Sequence, residues 1–351
     1  VARIVIVGAG PTGMTAALML RHLGRNPRIV ERRATPSSLS RAVGILPSSM
    51  EIFDRLGIGK TIRDRAVVID HIEFRRERGK PLAIPLAADP DPDMRLLSLP
   101  QDETEAILAE ALAERGVEVE YGAPCEGLDN PDGPVELTIG GHRETFDEVL
   151  GADGARSVVR EALGLEAEGF TLPEDWSIAD LDLTEPVDPH AEVHLRGSHA
   201  VVFMIPMDTA RVRLVSNTSD ALETLGDGLS IANIRRTGQF RISIRQVPVY
   251  RVGHVSLAGD AAHTHSPVGG RGMNLGIADA AEWAERLVAG TLGDYSASRH
   301  AAGRHTIGLS ELARKALLTG GFKRKLALQV IKAVSRRPAL AQRVGQTVLR
   351  G

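Results

Sequence analysis

The sequence predicts an α/β fold: a parallel sheet, a mostly antiparallel β-sheet inserted into it, and helices at the C-terminal end. Three observations carry that prediction. A short β-branched run, Arg3–Val7, passes directly into a glycine turn and an apolar helix. Segments between residues 67 and 246 alternate apolar and polar side chains, as a half-buried antiparallel sheet requires. Beyond residue 300 the apolar residues fall at helical spacings. A chain of 351 residues is about twice a typical domain, which suits such a composite. Its 43% hydrophobic and 25% charged residues exclude a mostly disordered chain. A net charge of −3 argues against a nucleic-acid partner held by bulk positive charge. The one cysteine, Cys125, makes neither an internal disulfide nor a thiolate cluster, which points to a reducing compartment. The 36 glycines imply many tight turns or backbone contacts with a ligand.

After Arg3–Val7 comes Gly8-Ala9-Gly10-Pro11-Thr12-Gly13, which fits GxGxxG. A helical run reaches Leu23, with Gly24 placed to end it and Pro27 just beyond. A second strand, Arg28–Val30, ends in Glu31, 21 residues after Gly10, with Arg32 beside it. Gly8 permits the tight turn, Gly10 lets a pyrophosphate approach the backbone, and Gly13 brings helix and strand close. The helix that opens at Pro11 and Thr12 offers free N–H groups to phosphates, and Glu31 is placed to accept hydrogen bonds from a ribose. This is a Rossmann-like dinucleotide site; its plain alternative is a glycine-rich turn of any α/β protein. The motif does not distinguish FAD from NAD. The charge-free run Ile4–Leu20 also has the look of a signal-peptide core or short membrane helix. Three glycines, a proline and no small-residue cleavage pattern favour a buried strand, turn and helix, and hence a cytoplasmic protein.

Two later motifs bear on the cofactor. Gly151-Ala152-Asp153-Gly154-Ala155-Arg156-Ser157 follows an apolar strand end. Gly259-Asp260-Ala261-Ala262-His263 follows the strand-like His254–Ala258 and continues through Pro267, Gly269, Gly270, Arg271, Gly272, Met273 and Asn274. Each is a strand entering a turn that presents a carboxylate beside open backbone. From Met273 the pattern is helical, so free N–H groups gather at a positive helix end suited to an anionic ring edge.

In this order, the three motifs resemble the single-component FAD-dependent aromatic hydroxylases, the family of para-hydroxybenzoate hydroxylase, over about residues 2–300. The resemblance implies a discontinuous FAD-binding domain (1–66, 97–165 and 247–300), a substrate domain (67–96 and 166–246) and a C-terminal helical segment (301–351). It implies that Glu31 binds the adenosine ribose, that Arg41 lies near the pyrophosphate, and that Gln101 touches the ribityl chain or flavin edge. Asp260 matches the ribityl-binding acid, and the backbone of Gly272, Met273 and Asn274 would hold the flavin pyrimidine edge. Asp153 and Arg156 belong to the motif linked to FAD and nicotinamide. Arg271 departs from the family, in which many members carry glutamine in a GQG turn.

Strand-like segments expected to build the substrate sheet are His71–Arg76, Pro81–Leu86, Ser177–Leu183, Ala191–Leu195, Ala200–Pro206, Arg211–Ser216 and Phe240–Gln246. Candidate substrate residues are His194, His199, Phe203, Met204 and Pro206, each of which also reads plainly as core or surface. The glycine-dotted stretch Asp220–Gly238 suggests a small substrate domain. Asp260, His263 and His265 lack the rigid element that would orient metal ligands, so no metal site is expected. His265 instead is a candidate for the substrate side of the flavin.

The last 53 residues hold twelve Lys or Arg and one acid, Glu311, so residues 1–298 carry −14. Leu326, Val330, Ile331 and Val334 mark one helical face before Pro338. A basic amphipathic helix can lie on an anionic membrane, but packing on the acidic body is the commoner arrangement.

The resemblance implies an NAD(P)H-dependent FAD monooxygenase acting with O2 on a phenolic, aromatic or quinone-like molecule, through a flavin C4a-hydroperoxide. No second GxGxxG in a strand–helix–strand context exists, so NADH or NADPH would bind transiently. Epoxidation, Baeyer–Villiger oxidation, isoprenoid reduction and a non-catalytic flavin-binding role remain as alternatives.

Overall fold

Strand pairing follows from where each apolar run can be buried. The computed structural model describes residues 2–37, 42–86, 95–318 and 320–350. Ile4–Val7, buried along its whole length, lies between Arg28–Glu31 and Glu148–Gly151, parallel to both. Val119–Tyr121 and Val255–Leu257 extend this sheet in parallel on either side, and Arg251–Val252 closes one edge antiparallel. The helix Pro11–His22 touches both Gln101–Glu114 and Gly272–Ala289, and their apolar faces merge with the sheet into one core.

A second sheet of eight strands carries every segment expected from the alternating pattern. It is antiparallel except where Ala191–Arg196 runs parallel to His71–Arg76. Two of its strands are longer than the pattern showed: Glu168–Leu183 and Ile231–Gln246 pair along almost their whole lengths. The glycine-dotted stretch Asp220–Gly238 is thus largely ordered into regular elements. That stretch forms the short helix Ala221–Leu225 and half of a 16-residue strand. The alternation failed there because residues 231–239 are largely exposed on both faces, so neither face needs apolar side chains. His263–Thr264 also joins this sheet through Arg245 and Gln246, which ties the two sheets together just before the third glycine loop.

The C-terminal helices Tyr295–Leu318, Gly321–Ser335 and Pro338–Arg350 lie against the second sheet. The face expected from Leu326 to Val334 is divided. Ile331 and Val334 pack on Phe74, Ile84 and Val201, while Leu326 and Val330 are more than half exposed. Pro338 opens the last helix rather than merely ending the one before. Among the described residues, no helix is long and apolar enough to cross a membrane.

Backbone contacts that only glycine permits bring three loops beside the first sheet to one place. Gly8 has φ +106°, and a Cβ there would overlap the Ala152 carbonyl. A Cβ on Gly13 would overlap the Gly8 carbonyl, so the helix sits directly on the turn. Thr12 fills the space that side chains on Gly259 or Gly276 would need, which joins the first helix to the late loop.

A buried charge network fixes that late loop. Asp279, fully buried on the helix Gly272–Ala289, accepts from Gly259 N (3.0 Å), His263 Nε2 (2.6 Å) and Arg299 Nε (2.6 Å). Arg299 also reaches Glu282 at 3.1 Å. Burial pushes the Asp279 carboxyl up, but His263 and Arg299 together hold it below the ordinary carboxylate range. The stability it contributes is present above the unfolded carboxylate pKa and is lost as pH falls through the depressed native value.

Asp279→Asn would leave Arg299 buried beside a neutral amide. The expected cost is about 3–5 kcal/mol at neutral pH, with a flatter loss of stability below about pH 4 than in the parent. Urea unfolding at pH 7, about pH 4 and about pH 3 measures both. Gly24→Ala, at an αL helix end with open space around it, should cost only about 1–2 kcal/mol, whereas Gly13→Ala should prevent stable folding. A Gly13→Ala protein as stable as Gly24→Ala would contradict the contact.

Candidate cofactor and substrate site

The glycine turns, the carboxylates beside them and the second sheet enclose one continuous cavity of about 960 Å³, at the upper end of the range for bound small molecules. Its long arm is lined by Gly8, Gly10, Pro11, Thr12, Glu31, Arg32, Gln101, Asp153 and Arg156. Asp260, Pro267, Gly270, Gly272 and Met273 border the middle. The far chamber is walled by Ile72, Phe74, Val193, Phe203, Ile205 and Val215, with Ala313 and Leu317 from a C-terminal helix.

Two helix N-termini open into it. No side chain caps Pro11–His22 or Gly272–Ala289, and neither has an acid in its first turn. Such ends leave N–H donors and a positive dipole free for an anionic group. Gly10 carries no side chain to block the approach, and a Cβ there would meet nothing within 4 Å.

Glu31 is buried and accepts from Ala9 N (2.9 Å) and Arg33 N (3.0 Å), with Arg33 Nε at 3.1 Å. Burial opposes its charge, but these donors hold its carboxyl below the ordinary value, so it faces the cavity as a carboxylate. Gln101 holds Ala42 N at 3.1 Å and donates to Glu105 at 2.8 Å, tying the loop before Gly44 to the helix Gln101–Glu114. Asp153 caps the short helix Val158–Ala162 through Val158 N at 2.8 Å; its other oxygen is buried without a hydrogen-bond partner, and burial raises its pKa. Asp260 is exposed at the cavity wall, on a single 3₁₀ turn.

His265 Nδ1 lies 2.7 Å from the Ser266 carbonyl, which assigns it the proton and leaves Nε2 as an acceptor. Nε2 is buried without a partner, near Gly272 at the helix end. Burial pushes the imidazole pKa below its usual value, so the ring is neutral near pH 7. Arg271, the residue before that helix, is buried at the cavity wall, and burial lowers its pKa.

Some expected residues lie elsewhere. Gly13 and Asn274 are not in the cavity wall: Gly13 is packed under the turn. The Asn274 side chain instead binds Leu46 N, Ser49, Gly44 and Gly270 carbonyls, locking the Gly44 segment to the late loop. Arg41 falls outside the described residues. Of the five substrate candidates only Phe203 lines the chamber. Met204 and Pro206 alternate to the opposite face, Met204 packing on Ala179 and Leu214. His194 also faces away and pairs with Glu192 at 2.6 Å, while His199 is exposed in the turn beside Gly320. Strand parity turns His194, Met204 and Pro206 from the chamber, and His199 lies in the turn between two strands.

Residues not anticipated complete the site. Arg213, 1% exposed, reaches the chamber wall and is held by both oxygens of Asp180 at 2.7 Å. Arg33 and Glu105 flank Glu31; burial raises the Glu105 pKa. The one available signal was an arginine at a buried position of an alternating strand, Arg213 between Val212 and Leu214.

Residues 2–224 and 217–306 match the family described as FAD binding domain. The chain is 30% identical to 6-methylpretetramide 4-monooxygenase of Streptomyces rimosus over 324 residues, 81% of this chain and 55% of that protein. It is 29% identical to para-nitrophenol 4-monooxygenase of Pseudomonas sp., over 84% of this chain and 82% of the relative. The p-nitrophenol 4-monooxygenase of Pseudomonas putida superposes with a TM-score of 0.88 at 23% identity, covering 100% of this chain and 98% of that one, which shows a shared fold. The chain spans about half the length of the 6-methylpretetramide 4-monooxygenase that it matches. Two uncapped helix ends, a glycine cradle and a carboxylate at the end of the second strand thus agree with the family match: this chain belongs to the FAD binding domain family.

Proposed function

We propose that this chain is an FAD-dependent monooxygenase that uses NADH or NADPH and O2 to hydroxylate a phenolic or quinone-like aromatic ring. The observation that carries the reading is the unbroken passage from the dinucleotide arm into an apolar chamber walled by Phe74, Val193, Phe203 and Val215. Such a chamber accepts a flat apolar ring, and relatives named as pentachlorophenol, para-nitrophenol and 6-methylpretetramide monooxygenases support that class. The overall change would be ArH + NAD(P)H + H⁺ + O2 → ArOH + NAD(P)⁺ + H2O. Bound FAD would take the hydride and activate oxygen; the protein's own groups would position and shield it.

Glu31, with Arg32 nearby, would hold the adenosine ribose, and the free N–H group at Thr12 the pyrophosphate. Asp260 would accept from ribityl hydroxyls. The N–H groups of Gly272 and Met273 would face the pyrimidine edge and stabilise negative charge there without reorganising. Val193, Phe203 and Leu317 would exclude water from the reacting face. His265 Nε2, neutral and unpartnered, would accept the phenol proton at the chamber's polar end. A single buried Cys125 fits a reducing compartment, and the cytoplasm also supplies the nicotinamide.

Purified protein reconstituted with FAD should oxidise NADH or NADPH faster with a phenol panel and yield a product one oxygen heavier by mass spectrometry. Absence of oxygenated product across the panel would reject hydroxylation. Asp260→Ala should weaken FAD binding about ten- to a hundredfold by flavin fluorescence, consistent with loss of charged hydrogen bonds. His265→Gln should lower kcat/KM by about a hundredfold and remove an acid limb that lies below pH 6.5 in the parent, because protonating the base abolishes its role. An unchanged pH profile would dismiss His265 as the proton acceptor.

A further inference from the structure

We propose that His71, Glu73 and His190 form a binding site for a first-row divalent cation, zinc in particular, on the face of the eight-stranded sheet turned away from the cavity. In strand His71–Arg76, residues 71 and 73 share a face, while Ile72 and Phe74 alternate to the cavity. The parallel partner Ala191–Arg196 sets Glu192 opposite Glu73, and Asp70 N donates to the Pro189 carbonyl. That pairing brings His190 alongside His71, their rings stacked 4.5 Å apart.

One ligand atom from each of the three residues lies within 4.8 Å of the other two. Glu73 Oε2 is 3.9 Å from His71 Nε2 and 3.5 Å from His190 Nε2. These separations are too long for good hydrogen bonds and slightly wider than the edge of about 3.3 Å between ligands of a tetrahedral ion bound at about 2.0–2.1 Å. A small inward movement of the side chains would close the shell.

The neighbouring charges set which carboxylate oxygen faces the histidines. Arg75 pairs with Glu73 Oε1 at 3.1 Å and with Glu192 Oε2 at 2.9 Å, so Glu73 Oε2 is the oxygen turned to the histidines. Glu192 Oε1 stands 3.2 Å from His190 Nε2, and its other oxygen holds His194 at 2.6 Å. Glu192 Oε1 thus contacts the same nitrogen that His190 would offer the ion, and filling the site would exchange that contact for the metal bond. Two imidazoles and a carboxylate suit zinc better than calcium or magnesium, which prefer oxygen shells. His71 is about one-third exposed, which leaves a path for the ion and room for water as a further ligand.

A filled site would pin residues 70–76 to 189–196, whose alternate side chains wall the substrate chamber. This inference is independent of the monooxygenase reading. To test it, flavin-loaded protein is stripped with chelator, equilibrated with micromolar zinc, desalted and assayed by plasma mass spectrometry. About one zinc per chain is expected in the parent and in a His142→Ala control on an exposed strand. The isosteric Glu73→Gln and the His190→Ala variants should each retain at least about tenfold less, with flavin content reporting that they remain folded. Zinc retained equally by both variants would overturn the site. A titration of the parent against a chromophoric chelator needs no variant: the absence of any site tighter than about micromolar would overturn it as well.

Discussion

The Gly8 carbonyl lies where a Cβ on residue 13 would be, and Thr12 fills the space beside Gly259 and Gly276. This direct packing of backbone on backbone draws the first helix, the first turn and the late loop to a single point. Two positive helix ends therefore open into one cavity rather than onto separate surfaces. Any side chain at these positions would push the loops apart and separate the ends. The Asp279 network then holds what the glycines bring together, since one carboxylate grips the loop at Gly259 and His263 while answering Arg299. A buried pair of this kind is costly to break even when forming it brings little net stability.

The second sheet makes the other half of the cavity by alternation. Odd-numbered residues Val193, Phe203, Ile205, Arg213 and Val215 turn toward the cavity. Their even-numbered neighbours Met204 and Leu214 turn outward onto the helix Ala221–Leu225, and His194 turns outward to Glu192, which itself also borders the cavity. One sheet thus carries an apolar chamber on one face and a charged constellation on the other. Arg213 is the exception on the inner face, and its charge is tolerated there because Asp180 meets it with both oxygens. The C-terminal helices cover the same inner face, so the basic tail is part of the chamber wall through Ala313 and Leu317.

Local signals carried far in this chain. The strand–turn–helix–strand unit up to Glu31 was legible because GxGxxG needs glycine at each place for a steric reason that sequence displays directly. The strands of the second sheet were legible wherever one face is buried, and were lost over residues 231–239, where both faces meet solvent. Candidates for the cofactor arm stood out as glycines and carboxylates at turns. Candidates for the chamber did not, because His194, Met204 and Phe203 look alike in a pattern whose phase is unknown.

The sequence by itself determined the α/β class, the glycine turns, the family resemblance and the uneven charge between body and tail. All of these rest on neighbours within a few residues, or on steric demands that a single residue type can meet. Tertiary structure decided which face each strand turns inward. It also decided that Asp279 rather than an exposed acid anchors the late loop, and that His71 and His190 stand side by side. Those outcomes depend on pairing between separate segments, more than a hundred residues apart for His71 and His190, where a shift of one position reverses every side chain.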